Sequence, residues 1–376
     1  MSTGKSAKIL AQSKPYFAVI FLQFGYAGMA VIAKAALNNG MNHYSFAVYR
    51  NITAAVVFAP FAFFFERKIR PKMTFSVFWK IMLLGLLEPV IDQNLYYTGM
   101  KYTTATFTTA LGNVLPAITF ILAWILRLEK VNVRKLHSQA KILGTTVTIG
   151  GAMIMTLVRG GVIGLPWTKE ASHAQSASAG NTQQDPVKGA AMIAAGCCCW
   201  ASFYIVQAIT LKSYPAGLSL TSMLCGVGAL QGSVLTLVVE RGNTAIWAIH
   251  WDTTLLAYIY SGVICSGVAY YISGVVMKDK GPVFVTAFNP LSMIIVAIMG
   301  SFILAEQLDF GKVFGACVIV VGLYLVIWGS SKDDSSKSSG NDLDAPVEQQ
   351  LPVIRPANHQ EQHSATPREV PGEESV

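Results

Sequence analysis

Two carboxylates and two amides lie close together in a strongly apolar part of this sequence. Residues 85–97 read GLLEPVIDQNLYY, and Glu88, Asp92, Gln93 and Asn94 fall within that short segment. On a helix Glu88 and Asp92 share one face, because residues four apart lie one turn above the other. Such a face could bind an ammonium group or take up and release a proton.

Carboxylates in this setting need an explanation of their own. A charged side chain at the centre of a bilayer costs about 2.5–3.5 kcal/mol on insertion scales. Glu88 and Asp92 could therefore line an aqueous cavity, or either could pair with a buried cation such as Lys34 or Arg50 and only hold helices together. Pro89 lies between the two acids and removes a backbone donor, so we expect the helix to kink there.

The composition indicates that the solvent around this segment is lipid. Of the 376 residues, 53% are hydrophobic and 13% are charged, which is about half the charged share of an ordinary soluble domain. Continuous apolar runs of about 20 residues favour membrane-spanning α-helices over membrane strands. Ten spans are predicted, at residues 16–37, 44–65, 77–99, 104–126, 140–158, 189–210, 218–239, 253–277, 283–305 and 311–328.

The sequence also contains an internal repeat. Residues 100–129 align with residues 277–306 at a constant shift, and further matches lie on both sides of that segment. The matches pair Lys101 with Lys278, Phe107 with Phe284, Glu129 with Glu306, Gly151 with Gly322 and Glu66 with Glu240. The predicted domains are a cytoplasmic segment 1–14, a first five-helix repeat 15–158, an extracytoplasmic polar linker 159–187, a second repeat 188–329 and a disordered cytoplasmic tail 330–376.

The charges of the loops predict that the second repeat is inverted. An odd number of spans per repeat requires the second copy to enter the membrane upside down, and Lys and Arg accumulate on the cytoplasmic side. The loops after the second and fourth spans are strongly basic, whereas their counterparts in the second copy are not. Both termini should then be cytoplasmic. The predicted fold class is an all-α integral membrane protein with ten transmembrane helices in two inverted repeats, the architecture of many secondary transporters.

Several polar and aromatic residues of the predicted spans are candidates for a substrate pathway. Arg50 could bind a carboxylate bidentately, pair with an acid, or reach toward the interface. The amides could bind substrate or join helices, and the aromatic residues could line a cavity or only pack. The candidates are Gln23, Arg50, Glu88, Asp92, Gln93, Asn94, Asn113, Trp200, Tyr270 and Asn289. Prolines that could break the helices and act as hinges are Pro89, Pro116 and Pro290.

Many separate stretches resemble one plant family. They include LQFGYAGM at Leu22, FAVYRN at Phe46, KILGT at Lys141, KGPVFVTAFNPL at Lys280 and GLYLVIWG at Gly322. These stretches resemble the nodulin-like, walls-are-thin-related (WAT1-related) transporters, also called UMAMIT, in the EamA-repeat branch of the drug/metabolite transporter superfamily. The resemblance covers residues 15–329. It implies facilitated, often bidirectional, movement of amino acids, with auxin-like substrates in some members.

The resemblance refines the predicted function. EPVIDQNLYY is more similar to the amino-acid-exporting members, so we expect an amino-acid exporter of the plasma membrane, with Arg50 and Glu88 meeting the two ends of a zwitterion. A transporter of auxin or a related small organic acid is the alternative substrate class, and the vacuolar membrane is the alternative location. A proton is a candidate coupling ion, and uniport is the alternative.

Other classes of protein are disfavoured. The sequence has no Walker loop, HExxH, Gly-rich dinucleotide loop or G-x-S-x-G motif, so no enzyme and no cofactor are predicted. The six cysteines lack zinc-ligand spacing, so no metal is predicted. The net charge of +8 comes from short loops, which is typical of cytoplasmic loops and does not indicate nucleic acid. A receptor or sensor remains the non-transporter alternative, although inverted repeats give a receptor no evident advantage.

Overall fold

The computed structural model describes most of the chain. The described residues are 2–38, 41–102, 111–128, 135–158, 161–163, 185–241, 243–248, 252–303 and 308–341. Most of the predicted linker and most of the predicted tail therefore lie outside the described residues. The contacts given below belong to one compact unit, Met1–Asp334.

The described part of the first repeat is helical. Its elements are α1 (Ser2–Asn38), α2 (His43–Glu66), α3 (Phe75–Leu86), the π-helical turn π1 (Leu87–Asp92), α4 (Gln93–Tyr102), α5 (Leu115–Ile125) and α6 (Leu136–Leu157). Thr74 caps the start of α3 with its hydroxyl, as expected for a residue that satisfies a free N–H of the first turn. Phe75–Tyr102 is one continuous helical run, which is the predicted third span.

The second repeat is also helical, with one more described α-helix than the first. Its elements are α7 (Pro186–Ser213), α8 (Gly217–Val239), α9 (Thr253–Tyr260), the π-helical turn π2 (Ser261–Val268), α10 (Ala269–Lys280), α11 (Pro282–Ala287), α12 (Asn289–Ile303) and α13 (Phe310–Asn341). A short 3₁₀ turn, Thr244–Trp247, follows α8. Two strands of two residues each pair antiparallel. β1 (Val162–Ile163) follows α6 in the chain, and β2 (Leu308–Asp309) comes directly before α13.

Eight helices in the described part of the chain are long and apolar enough to cross a membrane, as judged by length and composition. The third predicted span does not appear among the eight, and the fourth is described only from Leu111. Spans four and nine both break just before a proline: a turn at Asn113 and Val114 precedes α5, and Phe288 separates α11 from α12. Pro116 and Pro290 then lie in the first turn of the new helix, where the missing N–H costs little.

Helices extend past two of the predicted boundaries, which themselves stay predictions. Helix α1 begins at Ser2, within the predicted segment 1–14. Helix α13 continues to Asn341, within the predicted tail. Nucleation is the costly step in helix formation, so a helix that has already formed can extend at little further cost.

Helices α2 and α8 lie antiparallel, and a glutamate at the end of each helix accepts hydrogen bonds from the start of the other. At the end of α2, the Glu66 carboxylate accepts the N–H groups of Leu218 at 2.9 Å and Ser219 at 2.7 Å, which are free donors at the start of α8. At the end of α8, the Glu240 carboxylate accepts Nδ2 of Asn42, the N-cap residue of α2, at 2.9 Å. Since Glu66 and Glu240 match in the repeat, this exchange is the one expected of inverted copies.

Helices α6 and α13 also run antiparallel, along a seam of glycines spaced seven apart. A Cβ on Gly144 would lie 2.7 Å from the carbonyl oxygen of Gly322, and one on Gly151 would lie 2.7 Å from N of Ile319 and 2.9 Å from O of Gly315. Because the helices are antiparallel, Gly144 meets Gly322 and Gly151 meets Gly315. Gly151 and Gly322, which match in the repeat, therefore occupy equivalent positions in the seam. Small residues let helix backbones approach closely in a membrane.

The π-helical turns occupy matching places in the third and eighth spans. Ahead of π1, Gly85 packs on α8, where a Cβ would lie 2.9 Å from Cγ1 of Val227. At the start of π2, Gly262 packs on α2, where a Cβ would lie 2.6 Å from O of Arg50. Pro89 lies inside π1, so the predicted break takes the form of a widened turn. Such turns are frequent at functional sites.

Candidate functional site

A cavity of about 360 Å³ lies between the two repeats. Its size is within the range of small-molecule sites, about 300–1,000 Å³. Nine of the ten candidate residues line it: Gln23, Arg50, Glu88, Asp92, Gln93, Asn113, Trp200, Tyr270 and Asn289. Asn94 is the exception. It is not among the lining residues, and its Nδ2 donates to the carbonyl oxygen of Val90 on the same helix at 2.6 Å.

Arg50 and Glu88 form a buried ion pair in this cavity. Nη2 of Arg50 lies 3.4 Å from Oε1 of Glu88, and the two side chains are 12% and 6% exposed. Of the two cations considered as partners for the acids, Arg50 is therefore the one seen beside Glu88. The side chain of Lys34, the other cation considered, is not described.

The π-helical turn determines which residue lies beside Glu88. In π1 the backbone N–H of Gln93 bonds to the carbonyl oxygen of Glu88, five residues back. This wider turn stacks Gln93 over Glu88, and Nε2 of Gln93 donates to Oε1 of Glu88 at 3.2 Å. The sequence predicted Asp92 in that position, because an α-helix stacks residues four apart. The two carboxylates therefore have different neighbours.

Side chains of the second repeat complete the cluster around the ion pair. Nε of Arg50 donates to Oγ of Ser266, on π2, at 2.6 Å. The Tyr270 hydroxyl donates to Oε2 of Glu88 and accepts from Nη2 of Arg50 at 3.5 Å. Nε2 of Gln207 donates to the carbonyl oxygen of Tyr270 at 2.9 Å. The polar cluster thus joins the two halves of the protein.

Other polar groups of the cavity lack a partner in the described part of the chain. The Asp92 carboxylate makes no hydrogen bond or ion pair there, and neither does Nη1 of Arg50. The side-chain oxygens of Gln23 and Gln93 are buried and accept no hydrogen bond within the described residues. Buried polar groups normally have partners, so this cavity offers both unused donors and unused acceptors.

The sequence did not identify every residue of the cavity. Tyr26, Tyr96 and Tyr97 line it, as do Met29 and Met293. Tyr96 and Tyr97 follow directly after the polar segment, which was an available signal. Ser266 could have been found by transferring the position of π1 to the second repeat. The sequence holds no comparable signal for the two methionines, because apolar side chains in a span have no distinctive pattern.

The described residues contain no group of three or more His, Cys, Asp or Glu that could hold a metal ion. All six cysteines are free, and of these Cys197 and Cys265 line the cavity. The polar groups described above can recognise a small solute through ionic contacts and hydrogen bonds.

Comparisons with known proteins agree with this fold. The model of the EamA-like transporter family matches residues 13–157 and 187–328. WAT1-related protein At2g39510 of Arabidopsis thaliana is 61% identical over 341 residues, covering 91% of each chain. WAT1-related protein At2g37460 of the same plant is 56% identical, covering 89% of this chain and 87% of its own.

A solved crystal structure shares the fold with a TM-score of 0.60 at 13% identity, covering 89% of this chain and 99% of the other. The predicted fold class is therefore confirmed, while the exact domain boundaries stay a prediction. With its two matched segments and its close WAT1-related relatives, the chain belongs to the EamA-like transporter family of integral membrane proteins.

Proposed function

We propose that this transporter moves amino acids, as an exporter that can also run in the reverse direction. The observation that carries the proposal is that one cavity holds a guanidinium with an unused Nη1 and a carboxylate, neither of which has a partner among the described residues. An amino acid is a zwitterion, so it can satisfy both. A cavity of about 360 Å³ is large enough for such a solute.

Arg50 is the proposed partner of the substrate carboxylate. Its Nε and Nη2 atoms are held by Ser266, Glu88 and Tyr270, which fixes the plane of the guanidinium. Nη1 is left for the substrate, so the binding geometry is set before the substrate arrives. Charge-assisted hydrogen bonds of this kind are about twice as strong as neutral ones.

Asp92 is the proposed partner of the substrate ammonium. The sequence-based hypothesis assigned this role to Glu88, but the Glu88 carboxylate already accepts from Arg50, Gln93 and Tyr270. Glu88 is better suited to orienting Arg50. The side-chain oxygens of Gln23 and Gln93, which accept no hydrogen bond from the described part of the chain, offer the ammonium two further acceptors in the same cavity.

The bonds between the repeats suggest how binding is linked to movement. Rocking of one half against the other would change the contacts from Arg50 to Ser266 and from Tyr270 to Glu88, which cross between the repeats. Pro89, Pro116 and Pro290 are the proposed hinges, since each lies at a widened or broken turn. Alternating access of this type is usual for inverted-repeat transporters.

Asp92→Asn is expected to weaken amino-acid transport without unfolding the protein. It removes the charge that attracts the ammonium, and losing one charge-assisted hydrogen bond raises KM by about tenfold or more. The measurement is efflux and uptake of labelled amino acids in oocytes, for wild type and variant, across external pH. The pH series tests proton coupling, because a proton on Asp92 would compete with the substrate ammonium.

Auxin is the discriminating second substrate. It has a carboxylate but no ammonium, so any auxin flux should be unaffected by Asp92→Asn. Asn94→Ala is the control and should transport normally, because Asn94 does not line the cavity and its Nδ2 bonds to Val90 of its own helix. Auxin flux without amino-acid flux in the wild type would move the protein to the alternative substrate class. Binding without flux would indicate a receptor.

We further propose the plasma membrane as the location, with both termini in the cytoplasm. The support for the orientation is the basic loop after α2, in which Arg67, Lys68, Arg70 and Lys72 are exposed, together with the positive-inside rule. Fluorescent fusions at each terminus should label the cell boundary and be quenched only by a quencher loaded into the cytoplasm. Quenching from outside at either terminus would contradict this topology.

A further inference from the structure

A second concave surface lies away from the substrate cavity, between the end of α2 and the start of α8. This groove has a volume of about 440 Å³. Nine residues line it, of which Arg70 is the only charged one: Ala59, Pro60, Ala62, Phe63, Phe64, Arg70, Ser219, Ser222 and Met223. None of the nine lines the substrate cavity.

The Arg70 guanidinium is held in place at this groove. Its Nε and Nη2 atoms donate to Oγ of Ser219, at 3.2 Å and 2.9 Å, while Nη1 has no partner in the described part of the chain. Glu66, the acid at the end of α2, is engaged by the N–H groups that start α8 and does not line the groove. Arg70 therefore presents a fixed positive charge with free donors.

Six of the other eight lining residues are apolar, and two phenylalanines among them are exposed. Phe63 and Phe64 are 54% and 77% exposed, and the Arg67 guanidinium lies over the Phe63 ring at 5.7 Å from its centroid. Arg67, Lys68 and Lys72 are exposed in the same segment of chain as Arg70. The groove thus combines an apolar wall with a positively charged end.

We propose that this groove binds one anionic phospholipid, with its phosphate on Arg70 and an acyl chain along Phe63 and Phe64. An arginine fork matches phosphate oxygens, and clusters of Lys and Arg beside a membrane helix attract anionic lipids. The matching end of α8 lacks this chemistry. There Arg241 follows Glu240 and donates to the carbonyl oxygen of Val238 at 3.3 Å.

The test is native mass spectrometry of the purified full-length protein, titrated with phosphatidylserine or with phosphatidylcholine. Wild type should retain phosphatidylserine in preference to phosphatidylcholine. Arg70→Gln should weaken phosphatidylserine binding by about tenfold, because a charge-assisted hydrogen bond is lost. Ala59→Trp, which fills the exposed groove and leaves the charge in place, should weaken it as well. Arg241→Gln is the matched control and should bind as wild type does.

Three outcomes would overturn the proposal. One is phosphatidylserine binding to Ala59→Trp at the wild-type level, which remains decisive even if Arg70→Gln fails to fold. Another is equal retention of phosphatidylcholine, which would indicate an ordinary lipid coat. The third is displacement of the lipid by inorganic phosphate alone, which would indicate a site for the free anion.

Discussion

Arg50→Gln is expected to abolish amino-acid transport and to destabilise the folded protein by about 3–5 kcal/mol, the usual effect of removing one partner of a buried ion pair. The variant leaves the Glu88 carboxylate, only 6% exposed, without its cation. It also removes the proposed partner of the substrate carboxylate. The two effects have different causes, so they can be separated by a second substitution.

The double variant Arg50→Gln/Glu88→Gln separates stability from transport. Removing both charges leaves no uncompensated ion, so much of the lost stability should return. Transport should not return, because neither glutamine can replace the guanidinium that binds a carboxylate. Glu88→Gln alone should lower both transport and stability, because Arg50 then keeps Ser266 and Tyr270 but loses its counter-charge.

The measurements are the thermal unfolding midpoint of purified protein and the efflux of labelled amino acids. Arg241→Gln, at an exposed arginine outside the cavity, should change neither. Normal efflux by a well-expressed Arg50→Gln variant would show that Arg50 does not bind substrate. Recovery of transport in the double variant would show that the ion pair is only structural.

Gly151→Ala is expected to lower the free energy of unfolding by about 1–3 kcal/mol, as overpacking of a close contact does. The new Cβ would lie 2.7 Å from N of Ile319 and 2.9 Å from O of Gly315. Both neighbours are backbone atoms, so neither can move aside by a change of rotamer. Helices α6 and α13 would have to separate, and the other contacts of their seam would weaken with them.

The adjacent glycine supplies a closely matched control. A Cβ on Gly150 would have no neighbouring atom within 4 Å, so Gly150→Ala should stabilise α6 by up to about 1 kcal/mol through its higher helix propensity. Thermal unfolding of both variants in the same detergent gives the comparison. Gly144→Ala should behave like Gly151→Ala, since its Cβ would also meet backbone. Equal midpoints for the two adjacent variants would contradict the close seam.

The sequence by itself determined the architecture and most of the cavity. Continuous apolar runs predicted the spans, because a backbone in lipid must satisfy its hydrogen bonds internally. The repeat aligns Glu66 with Glu240 and Gly151 with Gly322. In the structure each glutamate accepts a hydrogen bond from the start of the other's helix, and the two glycines make matching close contacts. Polar side chains in spans are costly facing lipid, which explains why most of the polar candidates lie around one cavity. Asn94 is the one candidate that does not line the cavity, and its Nδ2 donates to the carbonyl oxygen of Val90 on its own helix.

Only the tertiary structure decided how those residues are paired. An α-helical register places Asp92 beside Glu88, but π1 stacks Gln93 there and leaves Asp92 without a partner in the described residues. The sequence left the partner of Glu88 open, and the packing of α2 against π1 and π2 selected Arg50, with Ser266 216 positions away in the chain. Local sequence governs helix formation, whereas contacts between distant residues depend on how the helices pack.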